Sequence, residues 1–335
     1  MIRYFILIFL LSAFLVNCGN YPAGELVFIT NERDGTISVI HAAEVRVIDT
    51  ISVGGRPRGI RVGADGSRAY VAVSAPFDDQ QAEGFDKIVI IDTTNGKVLD
   101  SIYVNSDPEQ LAVDPSGKYI FVSNEDTGTA TITDTATGEP VKTLITGIEP
   151  EGVTVSPDGK WVYVMAETSN TVSVIDTSSL EVVQTFTVGA RPRDAAFSPD
   201  GKRAYVTSEV GQTMAVVDVA THSVSATIPL NHLANYKPAG VAVSPDGKTV
   251  YVGGGRANCV SMVDAVSLEV LADVPAGQRV WGIGLSSDGS KLYATGGLSN
   301  NVTVIDTSTR QPIQTIRLGQ GPWGVAIRKS TSSLR

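Results

Sequence analysis

The amino-acid sequence predicts an all-β protein, a seven-bladed β-propeller of four-stranded antiparallel blades. The prediction rests on a recurring aromatic residue, on four short strand-like runs in each repeat, and on chain ends that each hold part of one blade. Seven copies with a period near 42 residues are typical of a propeller or a solenoid. The aromatic residues are Phe28, Tyr70, Phe121, Tyr163, Tyr205, Tyr251 and Tyr293, spaced 42, 51, 42, 42, 46 and 42 residues apart.

Each copy contains four runs that favour β-strands. In the copy that begins at Glu149 they are GVTVS, KWVYVMA, TVSVID and EVVQTFTV. Val, Ile, Thr and aromatic residues alternate with a period of two, which predicts a strand for each run. We number these strands first to fourth within a copy. Four antiparallel strands that repeat radially form a propeller blade.

Two kinds of turn separate the strands. The string SPDG, at Ser156, Ser198 and Ser244, joins the first and second strands, because Pro presets φ and Gly supplies a positive φ. A DT-type turn joins the third and fourth strands. Its recurrent Asp resembles a set of catalytic carboxylates, but local hydrogen bonding within the turn explains it better. These residues are Asp92, Asp134, Asp176, Asp218, Asp264 and Asp306.

The two ends of the chain predict how the ring closes. The first copy supplies only three strands, whereas the chain ends on an extra first strand, PWGVAIR, which starts at Pro322. This strand is expected to complete the first blade, so that no free sheet edge remains at the seam. We therefore expect one propeller over residues 25–328, followed by a short polar tail at 329–335.

The N-terminal segment differs from the rest of the chain. Arg3 precedes an apolar run from Phe5 to Val16, which is too short to span a bilayer and fits the core of a signal peptide, predicted over 1–18. The string LVNC resembles the lipobox of bacterial lipoproteins, although Asn17 stands where that pattern prefers a small residue. Lipidation of Cys18 is favoured over simple secretion. The sequence thus predicts a periplasmic or cell-envelope protein whose membrane contact is a lipid anchor at Cys18.

Charge and composition limit the classes of partner and of chemistry. The 335 residues carry a formal net charge of -9 without any cluster of Lys and Arg, which argues against a nucleic-acid partner. None of the three histidines has a neighbouring set of ligands spaced for a metal. Cys259 replaces a Thr of other copies and is expected to be a small buried residue. Neither a metal site nor catalytic residues are therefore predicted.

One face of the propeller is expected to carry the variable loops, and we call it the loop face. It contains the starts of the first strands, the ends of the second strands and the loops that follow the second strands. The opposite face, which we call the turn face, carries the SPDG and DT-type turns. Both length anomalies of the repeat, residues 74–87 and 231–236, fall on the loop face, where function usually sits.

At the centre of the loop face, the residue after the motif Pro varies from blade to blade. Most of the Arg and Glu residues there are explained by ion pairs between neighbouring blades. A ligand site is predicted at Trp281, Trp323, Arg58, Arg279 and Arg193. Indole faces beside cations suit a small aromatic or anionic ligand, or an apolar side chain of a protein partner. The alternative is that the two Trp residues only plug the channel.

Several strings resemble known repeats. YVTSE at Tyr205 and FITNE at Phe28 resemble the motif of the YVTN family of seven-bladed β-propellers, a WD40-like repeat. FVSNEDTGTATITD, PEGVTVSPDG, RANCVSMVD, GQRVWGI and GPWGVAI are more similar to the propeller proteins associated with pyrroloquinoline quinone (PQQ)-dependent alcohol catabolism. This resemblance implies a periplasmic or secreted accessory protein with a transporter or quinoprotein dehydrogenase as partner, and it supplies no catalytic residues.

The function expected from the sequence is noncatalytic. Quinoprotein dehydrogenases have eight blades with a tryptophan-docking motif in each, whereas only Trp281 and Trp323 share a motif position here, so no bound quinone cofactor is expected. The sequence predicts an exported binding or scaffold protein rather than an enzyme. The alternative is a propeller enzyme such as a lactone hydrolase, because some seven-bladed propellers have that activity.

Overall fold

The structure is a computed structural model that describes residues 19–77 and 86–330. Its strands form seven four-stranded antiparallel sheets arranged as the blades of a ring, which confirms the predicted fold. The described ranges contain no α-helix, and none of their segments forms a helix that could cross a membrane. The predicted signal peptide with Cys18 lies outside these ranges, as do residues 78–85 of the long loop and 331–335 of the tail.

The first four blades take their strands in chain order, except that the innermost strand of the first blade comes from the end of the chain. The first blade contains β1 (Leu26–Asn31), β2 (Thr36–His41) and β3 (Arg46–Ser52), and it is completed by β28 (Pro322–Arg328). The second contains β4 (Arg56–Val62), β5 (Arg68–Ser74), β6 (Lys87–Asp92) and β7 (Val98–Tyr103). The third contains β8 (Pro108–Val113), β9 (Tyr119–Asn124), β10 (Thr129–Asp134) and β11 (Pro140–Ile145). The fourth contains β12 (Pro150–Val155), β13 (Trp161–Ala166), β14 (Thr171–Asp176) and β15 (Glu181–Thr187).

The last three blades repeat the same strand order. The fifth contains β16 (Pro192–Phe197), β17 (Arg203–Ser208), β18 (Thr213–Asp218) and β19 (Ser223–Pro229). The sixth contains β20 (Val241–Val243), β21 (Thr249–Gly253), β22 (Cys259–Asp264) and β23 (Val270–Pro275). The seventh contains β24 (Val280–Leu285), β25 (Lys291–Gly296), β26 (Asn301–Asp306) and β27 (Gln311–Arg317).

The last strand of the chain closes the ring. β28 pairs antiparallel with β1, and Leu26 stands opposite Arg328. The register shifts between Ile29 and Asn31, where the hydroxyl of Thr30 accepts a hydrogen bond from Gly324 N (2.8 Å). The predicted seam between the two ends of the propeller is thus confirmed.

The hydrophobic cores lie between adjacent blades. Each of seven clusters of buried residues combines two neighbouring sheets, and the cluster between the first and second blades contains Phe28, Ile60 and Val71. All seven aromatic residues of the repeat are buried in these cores. The aromatic period read from the sequence therefore marks the packing of one sheet on the next.

The recurrent Asp residues have the structural role that the turns predicted. In the sixth blade, Asp264 Oδ1 accepts hydrogen bonds from the backbone N–H groups of Val266 (2.8 Å) and Ser267 (2.7 Å). A carboxylate oxygen accepts a backbone N–H two residues ahead in each of the six turns, at Asp92, Asp134, Asp176, Asp218, Asp264 and Asp306. These carboxylates therefore stabilise turns on the turn face.

Residues 19–25 lie on the turn face, next to the seam. The Tyr21 hydroxyl donates to Asp49 Oδ2 (2.5 Å), and the Tyr21 backbone N–H donates to Thr94 O (2.5 Å). The guanidinium of Arg328 donates to the carbonyl oxygen of Gly24 (3.2 Å). The chain is therefore held against the first and second blades before β1 begins.

Candidate functional site

Two tryptophans meet at the centre of the loop face. Trp281 on β24 and Trp323 on β28 stack, with ring centroids 6.3 Å apart and planes inclined by 29°. The guanidinium carbons of Arg279 and Arg193 lie 4.1 Å and 5.2 Å from the centroid of the Trp281 ring. The structure thus brings together four of the five residues proposed from the sequence.

The fifth, Arg58, lies at the centre of a cluster of carboxylates that joins three blades. Its Nε donates to Glu32 Oε1 at 2.8 Å. Its Nη1 contacts Glu109 and lies 3.9 Å from a carboxylate oxygen of Asp107 and 3.9 Å from one of Glu125. The expected ion pairing between neighbouring blades is therefore present here, and Arg58 is already engaged by carboxylates of the chain.

Arg193 is the centre of a second cluster, on the fourth and fifth blades. Its side chain is 9% exposed, and it donates to Glu151 and Glu209 at 2.8 Å each and also contacts Glu167. Burial raises the pKa of Glu167, and the nearby charge of Glu151 raises it further. Burial acts in the same direction on Glu209, but Arg193 and Arg191 outweigh it and hold the pKa of that carboxyl below its usual value. Arg193 thus links a carboxylate cluster to the face of Trp281.

One group of acidic residues in the described ranges has the spacing of a metal site. Oxygen atoms of Asp107, Glu109 and Glu125 lie within 4.8 Å of one another, and carboxylates of this kind can bind hard cations. Two guanidinium groups take the place of such a cation, because Arg58 contacts Glu109 and Arg56 Nη2 lies 2.7 Å from Asp107. We therefore assign this group to ion pairing.

A cavity of about 320 Å³ opens beside Trp281 on the loop face, and we call it the loop-face cavity. A Cβ at Gly297 would lie only 2.7 Å from Trp281 Cδ1, so glycine is required for the indole to lie there. Among the described residues, three guanidinium groups dominate the charge of this cavity, since the carboxylate of Glu32 is bonded to Arg58. The lining residues are Glu32, Arg33, Phe77, Arg256, Arg279, Trp281, Gly297, Leu298 and Gly321.

Arg33 and Arg256 are functional candidates that the sequence analysis missed. Both are exposed, and neither has an ion-pair partner within residues 19–77 and 86–330. Each lies in a loop between a second and a third strand, in the sequences NERDG and GGRAN. Those loops were assigned to the loop face, so a search for arginines within them would have found this pair.

The stacked tryptophans also divide the central channel. Trp281 borders the loop-face cavity, whereas Trp323 borders a cavity of about 450 Å³ that reaches toward the turn face. A space of only about 30 Å³ lies between them, bounded by both indoles. Trp281 and Trp323 therefore close the channel, and Trp281 alone of the two lines the loop-face cavity.

A polar network on the sixth blade superficially resembles a catalytic triad. His232 Nε2 lies 3.1 Å from both carboxylate oxygens of Asp273, and the Ser261 hydroxyl donates to Asp273 Oδ1 (2.5 Å). In a nucleophilic triad the histidine stands between the hydroxyl and the carboxylate. Here the carboxylate stands between them, so His232 cannot remove a proton from Ser261. The network instead holds the 231–236 loop in place. The sequence did not reveal that Asp273 is the partner of His232.

Cys259 is buried next to this network, as the sequence predicted. Burial raises the pKa of its thiol, and the charge of Asp273 raises it further. A thiol held in the protonated form is a weak nucleophile. The geometry around Cys259 therefore gives it a packing role.

Comparison with known proteins places the chain in a family. The model of the choice-of-anchor I domain matches residues 18–194, more than half of the sequence. The chain belongs to the choice-of-anchor I domain family. A second family model, described as lactonase, 7-bladed beta-propeller, matches residues 177–317. The two matches together cover residues 18–317, which is the propeller without its last strand, and the second agrees with its seven blades.

One curated protein and two solved structures are similar to this chain. A seven-bladed beta-propeller protein of Mycobacterium tuberculosis is 30% identical over 105 residues, which cover 31% of this chain but only 25% of that relative. A chain of hydrazine synthase from Kuenenia stuttgartiensis is 26% identical, with a TM-score of 0.74 over 84% of this chain and 92% of that one. A functionally unknown protein from Desulfotomaculum acetoxidans DSM 771 is 18% identical, with a TM-score of 0.75 over 91% and 99%, and shows similarity of fold alone.

Proposed function

We propose that this member of the choice-of-anchor I domain family is a noncatalytic binding protein of the cell envelope. Its loop-face cavity would receive a planar aromatic acid. The observation that carries the proposal is the convergence of Arg33, Arg256 and Arg279 on the open space beside Trp281. A protein with a net charge of -9 can attract an anion only where cationic side chains lie close together. The loop-face cavity is such a place.

The chemistry of the cavity suits a flat ligand with carboxylates. Guanidinium groups bind carboxylates through paired, charge-assisted hydrogen bonds, and the planar guanidinium of Arg279, which lies over Trp281, offers a flat surface on which an aromatic ring can stack. Arg33 and Arg256 are exposed and have no ion-pair partner within residues 19–77 and 86–330. Arg279 already lies on the Trp281 ring, which holds both side chains in position for a ligand.

A narrower proposal concerns the pathway. The resemblance of five strings to PQQ-associated propellers supports an accessory role in PQQ-dependent alcohol catabolism, beside a transporter or a quinoprotein dehydrogenase. PQQ is itself a flat aromatic compound with carboxylates and suits the loop-face cavity chemically. One similar propeller chain comes from an enzyme, hydrazine synthase, which is in keeping with a propeller that serves alongside an enzyme.

Isothermal titration tests the ligand class. The mature protein would be titrated with PQQ and with a series of aromatic mono-, di- and tricarboxylic acids. We expect at least one of these acids to bind, and Arg256→Gln, Arg279→Gln and Trp281→Phe to weaken it about tenfold or more, because each removes a charge-assisted bond or part of the stacking surface. Arg68→Gln, which removes an exposed cation on the turn face, is the matched control. Unchanged affinity in all three cavity variants, or no binding at all, would contradict the proposal.

A lactone hydrolase is the second candidate, because the lactonase model matches 177–317. A hydrolase of this kind would need an acid–base pair or a metal to activate water. The carboxylates Asp107, Glu109 and Glu125 are the obvious metal ligands, and Arg56 and Arg58 compete for them. Metal analysis of the purified protein together with a lactone panel separates the candidates. Stoichiometric metal with turnover that is lost in Glu109→Gln would favour the enzyme.

A further inference from the structure

Three channel residues depart from the pattern of the repeat. At the second position after the motif Pro or its equivalent, five blades have Gly, but the third and fifth blades have Gln110 and Asp194. A Cβ on any of the five glycines would lie within 2.7 Å of a neighbouring first strand, which explains the glycine. At the fourth position the second blade has Arg61, and the other six have small residues. The five glycines are Gly59, Gly152, Gly240, Gly282 and Gly324, and the six small residues are Ala112, Thr154, Ala196, Ala242, Gly284 and Ala326.

The structure brings these three side chains together. Arg61 Nη2 donates to Gln110 Oε1 at 3.0 Å, and the charges of Arg61 and Asp194 interact across the channel. All three line the cavity of about 450 Å³ on the turn-face side, whose inner end is Trp323. Three blades therefore carry polar side chains, where the other blades have small residues, and these side chains share one cavity.

Both charges keep unused hydrogen-bonding capacity. The Asp194 carboxylate accepts the backbone N–H groups of Ala195 (2.9 Å) and Val241 (3.2 Å), and Arg61 Nη1 donates to Ile60 O (2.9 Å). Neither Arg61 nor Asp194 has a direct ion-pair partner among the described residues. Burial raises the pKa of Asp194 to about 6, while Arg61 opposes the rise. Both side chains are partly buried along the cavity and do not form a direct ion pair, so neither charge gains the stabilisation of a contact that would explain its presence by packing.

We propose that this cavity, which we call the channel site, binds a small zwitterion with one carboxylate and one ammonium group, such as an α-amino acid. Arg61 and the amide N–H groups of Gln110 would hold the carboxylate, and Asp194 would accept the ammonium group. The indole of Trp323 would contact the apolar part of the ligand. A simple anion would leave Asp194 unpaired and a simple cation would leave Arg61 unpaired, whereas a zwitterion satisfies both.

The channel site is independent of the loop-face cavity. Trp281 and Trp323 stack between the two spaces, and the channel site opens on the opposite face. The two proposals also require ligands of different chemistry. A failure of one to bind its ligand therefore leaves the other unaffected.

Titration with amino acids tests the channel site. Glycine, serine, leucine and phenylalanine would be added to the mature protein, with acetate and methylamine as single-charge controls. We expect at least one amino acid to saturate a single site and raise the melting temperature, and acetate or methylamine to bind at least about tenfold more weakly. Arg61→Ala and Gln110→Gly restore residues of the repeat, and Asp194→Asn removes a charge at constant size. Each should weaken binding about tenfold or more, since each removes a hydrogen bond or a charge.

Thr154→Ala is the matched control, because it also shortens a side chain that lines the same cavity but removes no charge, and its affinity should equal that of wild type. Circular dichroism of every variant separates loss of binding from loss of fold. If Asp194→Asn does not fold, Arg61→Ala and Gln110→Gly still decide the question. The proposal is wrong if no amino acid binds wild type, if acetate binds as tightly as the best amino acid, or if the folded variants bind like wild type.

Discussion

At the scale of single residues, Arg193 is a buried cation on which three carboxylates depend. Its guanidinium is buried among Glu151, Glu167 and Glu209, and it also faces the ring of Trp281. A buried ion pair adds little net stability compared with apolar packing, but a carboxylate left without its cation is costly. Arg193 therefore matters mainly through the three carboxylates that depend on it.

Replacing Arg193 should destabilise the fold. Arg193→Met keeps most of the side-chain length and removes the charge, so we expect the free energy of unfolding in urea to fall by about 3–5 kcal/mol at pH 7. Arg256→Met is the control, since Arg256 is exposed and should change stability by no more than about 0.5 kcal/mol. Equal stability of the two variants would show that the Arg193 cluster is not coupled to folding.

Glu125 should make stability depend on pH. Burial and the charge of Glu151 raise its pKa to about 7, against the opposing effect of Arg58. In the unfolded chain the pKa of this carboxyl is about 4.3. When a carboxyl has a higher pKa in the folded state, the protein loses stability as the pH rises from about 4.5 through 7, because the carboxyl ionises first in the unfolded state. Glu125→Gln should therefore be about 1–3 kcal/mol more stable than wild type at about pH 8 and equal to it at about pH 4.5.

Urea unfolding at the two pH values measures this difference. Glu139→Gln removes an exposed carboxylate of the turn face and is the control. A Glu125→Gln variant that gains the same stability at both pH values would mean that the effect comes from packing rather than from ionisation.

At the scale of elements, β28 has a role that no other strand shares. It is the innermost strand of the first blade, but it comes from the opposite end of the chain. Its backbone pairs with β1, and Arg328 at its end donates to Thr93 O (2.8 Å) in the second blade. The blade cannot be completed from local sequence, so its formation has to wait for the last residues of the propeller.

Removing β28 should open the ring. A chain that ends at Gln320 exposes the edge of β1, and we expect a melting temperature at least about 10 °C below wild type, together with aggregation through that edge. Removal of 331–335 alone is the control and should leave the melting temperature unchanged. Scanning calorimetry with light scattering measures both effects. Identical melting curves for the two truncations would mean that the ring closes without β28.

At the scale of the whole molecule, the repeat predicted the architecture but not the sites. The period of the aromatic residues and the SPDG and DT-type turns specify strands and their pairing locally, so the seven blades could be read from the chain. The convergence of Arg61, Gln110 and Asp194 depends on how three blades are oriented about the axis. Periodicity says nothing about that geometry, although the loss of glycine at two of these positions was visible in the sequence.

The same limit applies to the arginines of the loop face. The sequence located Arg58, Arg193 and Arg279 near Trp281, but it could not tell which of them were engaged by carboxylates. Arg58 and Arg193 are engaged, and Arg279 Nη2 lies 3.8 Å from Glu209 Oε1. Of the three arginines that line the loop-face cavity, Arg33 and Arg256, in the neighbouring loops, have no ion pair among the described residues. Charge at a strand start was therefore a weaker guide to an arginine without an ion pair than charge in a loop.

Lipidation of Cys18 is a prediction about the molecule in its cell. Metabolic labelling with a fatty-acid probe should mark the wild-type protein and should not mark Cys18→Ser. Cys259→Ser is the control and should label like wild type, because that thiol is buried in the propeller. Labelling that is unchanged in Cys18→Ser, or absent from wild type, would mean that the protein is secreted without an anchor.

The hydrogen bonds of Tyr21 would also determine which way an anchored propeller faces. Only Gly19 and Asn20 separate Cys18 from Tyr21, a reach of about 10 Å at full extension. An acyl chain on Cys18 would therefore hold the turn face against the lipid headgroups, and the loop-face cavity would open on the side away from the membrane. The channel site would open toward the bilayer, so its ligand would enter through the narrow gap between protein and membrane. Depth-dependent quenching of a thiol-linked fluorophore in Asn95→Cys, on the turn face, should exceed quenching in Leu298→Cys, on the loop face, and equal quenching would show that the propeller tumbles on its tether.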